Sequence, residues 1–427
     1  MNALILVSVL LVLMAMRIPV FLALLLSCLF YLTCIKEVPL VILAHRMMAS
    51  LESFPLLALP LFILAADIIN YGRTSEEMFK FARALVGHTR GAMGHVVVVA
   101  SMIFAGISGT ITAEAAGLGK LEFPMMQKAG FDKPFSVGLL SAASIIGPII
   151  PPSVQMILYG MIAEQSVGRL FVGGVIPGMI MGVCLMIMVY IYSVKRNYPR
   201  DPRRASFREI LSTLKTSGPA LATPAIILGG IMSGVFTPTE AAAVAVVYGL
   251  FISVFVYKSL SLKKLPELLV GSAVMTALIL VIMGAASVFG WVVTMENIPI
   301  LVKNAIMSAT DKPWVVLLIL NIAFLIAGCF FDICAIILVL TPMILPILQA
   351  YQIDMVHWGV VEVLNVCIGF LTPPFGVGLF IMSDMANMSV SEVTRACAPF
   401  LIPLLISLGL ITYIPSLVTW LPKLVFG

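Results

Sequence analysis

The chain has 427 residues, of which 61% are hydrophobic and 11% charged, with a formal net charge of +5. Soluble domains carry roughly 25% charged residues, so this composition excludes an ordinary soluble enzyme or binding domain. Most of the net positive charge falls in one segment, and no nucleic-acid partner is expected.

In chain order, residues 2–16 and 19–35 predict two apolar helices. The first lacks a basic leader and runs on into Arg17-Ile18-Pro19, so it reads as a retained helix and not a cleaved signal. An amphipathic stretch follows at 37–50, then an apolar, Pro-interrupted one at 54–70. Residues 74–86 carry Met78, Phe79, Phe81, Leu85 and Val86 on one side and charges on the other. That segment is too polar to span and predicts a helix lying along the membrane surface. Residues 95–126 are apolar but broken by Gly106-Ile107-Ser108-Gly109-Thr110, and each arm suits a re-entrant hairpin. The next apolar stretch, 135–162, is interrupted by Gly147-Pro148-Ile149-Ile150-Pro151-Pro152, and 170–194 spans.

A basic segment then carries Lys195, Arg196, Arg200, Arg203, Arg204, Arg208 and Lys215. It reads as a loop over 195–218, cytoplasmic by the positive-inside rule. Spans follow at 219–235, 241–257 and 273–293, and 299–308 resembles the earlier surface helix in placement. Pro238 and Glu240 read as a helix start. Residues 314–348 are broken around Gly328–Asp332, residues 356–383 around Gly369–Pro374, and 397–421 closes the chain. The fold class expected is an all-α polytopic membrane protein, one transport domain with about 11 transmembrane helices and two re-entrant helical hairpins.

The interrupted regions repeat. At an offset of 222 residues, 105–160 and 327–382 share 12 identities in 56 positions, where composition alone gives about 4–5. Gly147 falls on Gly369, Pro151-Pro152 on Pro373-Pro374, and Asp132 on Asp354. The excess lies in Gly and Pro, which set backbone shape. The first repeat reads as 54–194, with a hairpin at 92–128 and a broken helix at 135–162; the second reads as 270–421, with 314–348 and 356–383. Gly/Pro-interrupted helices at matching positions of two halves point to a secondary transporter's binding site.

The chemistry follows from the breaks. Proline lacks the amide hydrogen and clashes with the carbonyl one turn back. The carbonyls it frees survive at membrane depth only when buried or lining a wet cavity, and a bound hard cation is one natural partner. One Na+ site is expected from Ser108 and Thr110 with Gly147, Ile149 and Pro152. A second is expected from Gly328 and Asp332 with Thr372 and Phe375. The half-helices after Pro152 and Pro374 present positive N-terminal ends to an anionic substrate, with Ser153, Gln155 and Thr112 as its polar contacts. Glu114 and Asp332 are carboxylates in apolar surroundings, where burial without a partner costs several kcal/mol. The seven cysteines, none in CxxC, read as packing. No GxxxxGK[ST], HExxH or GxSxG occurs, so neither direct ATP drive nor hydrolase chemistry is expected.

With these motifs in place, the whole sequence resembles the large membrane subunit of the tripartite ATP-independent periplasmic (TRAP) transporters. The resemblance rests on Pro60-Leu-Phe-Ile-Leu-Ala-Ala66, Gly147-Pro-Ile-Ile-Pro-Pro-Ser153, Gly234-Val-Phe-Thr-Pro-Thr-Glu-Ala-Ala-Ala243, Asp332 through Pro346, and Gly369-Phe-Leu-Thr-Pro-Pro-Phe-Gly376. It departs at the first hairpin tip, Ser108–Thr112, which in the family is richer in Ser and Ala. The resemblance implies a Na+-driven symporter, moving two or more Na+, that imports an organic acid of the sialic acid or C4-dicarboxylate class. It implies inverted repeats and an elevator mechanism, with 74–86 and 299–308 as connecting arms, in a bacterial inner membrane among its lipids. A periplasmic substrate-binding protein and a small four-helix (Q-type) membrane subunit are the implied partners. The small subunit is expected as a separate chain. The alternatives are a stand-alone Na+- or H+-coupled dicarboxylate carrier or antiporter of the wider ion-transporter superfamily, and a channel.

Overall fold

Gly and Pro set where the helices stop. The computed structural model describes residues 2–16, 18–36, 38–71, 74–198, 204–374 and 376–427, and among these it forms twenty α-helices and no strand. The first half runs α1 (Asn2–Ala15), α2 (Val20–Cys34), α3 (Val41–Leu51), α4 (Ala58–Asn70), α5 (Thr74–Val86), α6 (Ala92–Ser108), α7 (Ile111–Lys128), α8 (Lys133–Ser144), α9 (Val154–Ile162) and α10 (Val167–Lys195). The second runs α11 (Phe207–Met232), α12 (Pro238–Phe251), α13 (Leu265–Met295), α14 (Ile298–Ala309), α15 (Pro313–Phe330), α16 (Ile333–Ala350), α17 (Met355–Phe370), α18 (Val377–Ala386), α19 (Val390–Tyr413) and α20 (Ser416–Phe426).

Helix starts keep the spacing of the sequence. α7 and α16 begin 222 residues apart, as do α8 and α17. Equivalent residues supply the caps. Asp132 accepts from the Phe135 N–H at 2.7 Å, and Asp354 from the His357 N–H at 2.8 Å. Each such cap satisfies an amide that has no partner within the helix.

The two sets of helices interlock. α7 packs on α18 and, reciprocally, α16 on α9; α8 packs on α19 and α17 on α10. Each contact maps onto its counterpart through the repeat, a pseudo-two-fold arrangement. Tyr159, Phe171, Phe324, Trp358 and Phe400 are fully buried in this core. The Tyr159 hydroxyl donates to the Met355 carbonyl at 2.7 Å and ties α9 to the start of α17, a bond worth about 1 kcal/mol net.

The outer helices carry their apolar side chains outward. On α13, Leu269, Val270, Val274, Met275, Leu278 and Val281 are all exposed, a stripe far larger than a soluble monomer tolerates. Among the described residues, six helices are long and apolar enough to cross a membrane, or seven if 41–51 and 54–70, bent by 63°, form one span. The six include both arms of the second hairpin, α15 and α16, whereas α6, α17 and α18 are shorter apolar helices.

Two sequence expectations change. The stretch read as loop over 195–218 is helical from Phe207. Ser206 and Glu209 form a capping box, with the Ser206 N–H donating to Glu209 Oε2 at 2.7 Å. Arg, Lys, Leu and Glu are good helix formers, and the density of charge masked that propensity. Second, α5 turns part of its apolar stripe toward protein, while Leu85 stays exposed. Met78 and Phe79 are buried, α5 packs on α6 and α11, and Ser217 Oγ donates to the Glu77 carbonyl at 2.7 Å. Pro238 and Glu240 do start α12, whose capping box pairs Thr237 with Glu240.

Candidate ion and substrate site

In the first repeat the hairpin tip crosses the break after α8. Gly109 separates α6 from α7 in the left-handed region, at φ 63°. A methyl group there would lie 2.5 Å from the Pro152 carbonyl oxygen, so the tip approaches the break only as glycine. The Val154 N–H donates to the Gly109 carbonyl at 3.5 Å. Thr110 caps α7 by accepting from the Ala113 N–H at 3.2 Å, and its hydroxyl lies 3.4 Å from that of exposed Thr112.

Beneath the tip sits Glu114, 2% exposed. Ser108 Oγ lies 3.5 Å from Glu114 Oε1, while Oε2 has no partner. A methyl group at Gly147 would lie 3.0 Å from the Glu114 carboxyl, so the carboxyl fills the space above the break. Ser108, Gly147 and Pro152 are thus brought together. Ile149 is not: its carbonyl faces α10, where a methyl group at Gly174 would lie 2.1 Å away. The turn with Ile149 and Ile150 N–H both donating to Ile146 sets that direction.

The second repeat reproduces the crossing. The Gly376 N–H donates to the Cys329 carbonyl at 3.2 Å, and Gly376 is the repeat equivalent of Val154. Gly328 lies against Gly369, where a methyl group would be 2.8 Å from the opposing Cα. Asp332, at the position equivalent to Thr110, caps α16 by accepting from the Cys334 N–H at 2.9 Å and the Ala335 N–H at 3.4 Å. Thr372 donates to the Ile368 carbonyl at 2.8 Å, which leaves its lone pairs free. Phe375 lies outside the described residues.

The residues assigned to substrate do not form one cluster. Ser153 is fully buried and caps α9 by accepting from the Met156 N–H at 3.2 Å. Gln155 follows it, 5% exposed, with no partner for Oε1. Thr112 is exposed beside Thr110.

Several further buried polar residues belong to no motif or repeated position in the sequence. Glu122, two turns beyond Glu114, is 1% exposed and its Oε1 has no partner. Glu362 accepts from Trp358 Nε1 at 2.8 Å and from the Thr341 hydroxyl. Asn365 donates to Asn321 Oδ1 at 2.6 Å while its own Oδ1 stays unpartnered. A scan for charged or amide side chains within apolar runs would have found all four. Among the described residues, no three His, Cys, Asp or Glu side chains group as a metal site. The oxygens at the crossings are carbonyls and hydroxyls, joined by one carboxylate at each.

Comparison with known proteins bears on this arrangement. The family model described as "Tripartite ATP-independent periplasmic transporter, DctM component" matches residues 7–417. The sialic acid TRAP transporter large permease protein SiaM of Vibrio cholerae is 41% identical over 384 residues, covering 90% of each chain. The C4-dicarboxylate TRAP transporter large permease protein DctM of Pseudomonas aeruginosa is 39% identical, covering 89% of each chain. The sialic acid TRAP transporter permease protein SiaT of Haemophilus influenzae is 40% identical across 97% of this chain and 67% of its own length. Among solved structures, the Alcanivorax borkumensis YdaH transporter, described as having an unusual topology, superimposes with a TM-score of 0.65 at 14% identity. The match covers 87% of this chain and 86% of that one. At that identity the likeness concerns fold alone.

Proposed function

Since this chain belongs to the DctM family of tripartite ATP-independent periplasmic transporters and is a large membrane permease component, not an enzyme, we propose that it drives uptake of an organic acid anion with Na+. The observation that carries this reading is the pair of matched crossings, Gly109 with Val154 and Cys329 with Gly376. Each brings a hairpin tip against backbone beyond a Pro-Pro break in two interlocked repeats; the break-side residues are equivalent, and Cys329 is the equivalent of Ile107, two residues before Gly109.

In this reading the first Na+ takes oxygens from Ser108, Thr110, Gly147 and Pro152. Ile149 drops out of the set because its carbonyl faces α10. Glu114 enters it, since a buried carboxylate with a free oxygen is an unmet acceptor that a cation satisfies. The second Na+ takes oxygens from Gly328, Asp332 and Thr372. The substrate anion sits between the breaks, toward the N-terminal ends of α9 and α18, with Ser153 and Gln155 reached once the hairpins part. Sialic acid and C4-dicarboxylates are the substrate classes to test, because the named relatives are permeases for these.

Two partners complete the system: a periplasmic binding protein that delivers the anion, and a small four-helix membrane subunit beside this chain. The chain sits in the bacterial inner membrane with its basic segment cytoplasmic, and the hairpin-bearing core moves as an elevator. The test is reconstitution in proteoliposomes. Uptake of labelled sialic acid or succinate is expected only when Na+, the small subunit and a cognate binding protein are all present. Uptake of free substrate by this chain alone would overturn the reading.

A further inference from the structure

We infer that the cleft between the start of α6 and the end of α10 is a binding site for the phosphate of an anionic phospholipid, with the lipid's acyl chain lying along α10. The cleft has a volume of 690 Å³ and is lined by His88, Thr89, Arg90 and His95 from the α5–α6 junction and by Arg204 from the segment before α11. Arg90 and Arg204 are exposed, and neither guanidinium has an acidic partner among the described residues. Two arginines without carboxylates, converging on one concavity, create a local positive field that an anion neutralises.

His95 points to a ligand independently of that charge. It is 7% exposed, lines the cleft, and its Nε2 has no hydrogen-bond partner. The ring already hydrogen-bonds to the Arg90 backbone carbonyl, so the unmet Nε2 is an acceptor that is costly to bury alone; a hydroxyl of the lipid headgroup donates to it. The floor is fixed by Gly91, whose left-handed φ of 76° and missing side chain let the α5–α6 turn press on Ser193 of α10. The N-terminal end of α6 adds its partial positive charge at the same place.

The other wall decides between a lipid and a free anion. It is formed by Val183, Met186, Ile187 and Tyr190 of α10. Val183, Ile187 and Tyr190 are about half exposed, at 49%, 55% and 53%. Val183 and Ile187 stand one turn apart on the outward face of a helix long enough to span. A headgroup in the cleft therefore continues into an acyl chain along apolar, lipid-facing surface. A free phosphate would use only half of the cleft. Basic pockets between membrane helices take acidic lipid headgroups by this combination of charge and apolar wall.

The full chain, delipidated in detergent, is to be titrated with dioleoyl phosphatidylglycerol and with dioleoyl phosphatidylcholine, which share acyl chains, and read by native mass spectrometry. Preference for phosphatidylglycerol is expected. It should fall about fivefold for each of Arg90→Gln and Arg204→Gln, the share of one basic residue near an anionic surface, and survive in the Arg90→Lys/Arg204→Lys pair. Because both residues are exposed, the unfolding midpoint of the Gln variants should match wild type, which separates lost binding from misfolding. Equal binding of the two lipids, or a preference unchanged in the Arg90→Gln/Arg204→Gln protein, would overturn the assignment. So would displacement of phosphatidylglycerol by inorganic phosphate at equal concentration, which would mark a free-anion pocket.

Discussion

Asp332 holds two roles that one substitution can separate. Its carboxylate caps α16, and in the proposed site it also meets Na+. Asn is as good an N-cap as Asp, while Ala loses about 1 kcal/mol. Asp332→Asn is therefore expected to keep the unfolding midpoint of wild type but to raise the Na+ concentration needed for half-maximal uptake. Asp332→Ala should lower both stability and Na+ response. An unchanged Na+ response in Asp332→Asn would confine the residue to capping. The same logic applies to Ser153, whose hydroxyl caps α9. Ser153→Asn keeps the cap, so a loss of transport shared by Ser153→Ala and Ser153→Asn at wild-type stability of the latter would mark substrate contact. Asp332 could be singled out in the sequence because a carboxylate in an apolar run is conspicuous. The neighbours of Ile149 are not legible in the sequence, because a carbonyl's direction depends on the turn that carries it, here the paired bonds to Ile146.

Between elements, the Gly328–Gly369 crossing of α15 on α17 is the tightest test of packing. Gly328→Ala places a methyl group 2.8 Å from backbone that cannot rotate away. The expected cost is about 1–3 kcal/mol of overpacking, with loss of uptake, read as a lower unfolding midpoint and a lower initial rate. Wild-type behaviour would mean that the two helices part freely.

A second link joins the start of α8 to the end of α10. Arg196 Nη1 lies 2.6 Å from Asp132 Oδ2, and the Tyr198 hydroxyl also donates to that oxygen. Burial pushes the Asp132 carboxyl up, but hydrogen bonds from Tyr198, the Phe135 N–H and Arg196 outweigh it and hold the group below its ordinary value. Such a group stabilises fully above its unfolded pKa, about 4, and loses that contribution as pH falls through the folded value. Asp132→Asn keeps the cap and removes the charge. It should lower the unfolding midpoint at neutral pH, with the gap closing below about pH 4. A gap independent of pH would mean that the charge contributes nothing. Gly and Pro made these elements legible, since punctuation is local. The face that α5 buries was not legible, because a charged and apolar helix fits a membrane surface and a protein groove equally well until its neighbours are known.

At the scale of the whole molecule, the repeat is visible in the sequence and the interlock is not. An offset of 222 residues says that two units share a shape. It does not say that α7 of one packs on α18 of the other while α16 packs on α9. That exchange is what brings both breaks and both hairpin tips into one body. The polar residues at its heart, Glu122, Glu362 and the Asn321–Asn365 pair, are visible in the sequence only as polar side chains among apolar ones; their burial and pairing are properties of the assembled fold.

The two crossings are expected to carry Na+ together with the substrate. The direct measurement is simultaneous uptake of ²²Na+ and labelled substrate in proteoliposomes holding this chain, the small subunit and the binding protein. Two or more Na+ are expected to enter with each substrate anion, and the ratio should fall in Ser108→Ala and in Asp332→Asn. Uptake that proceeds equally well in K+, with no ²²Na+ entering, would contradict it.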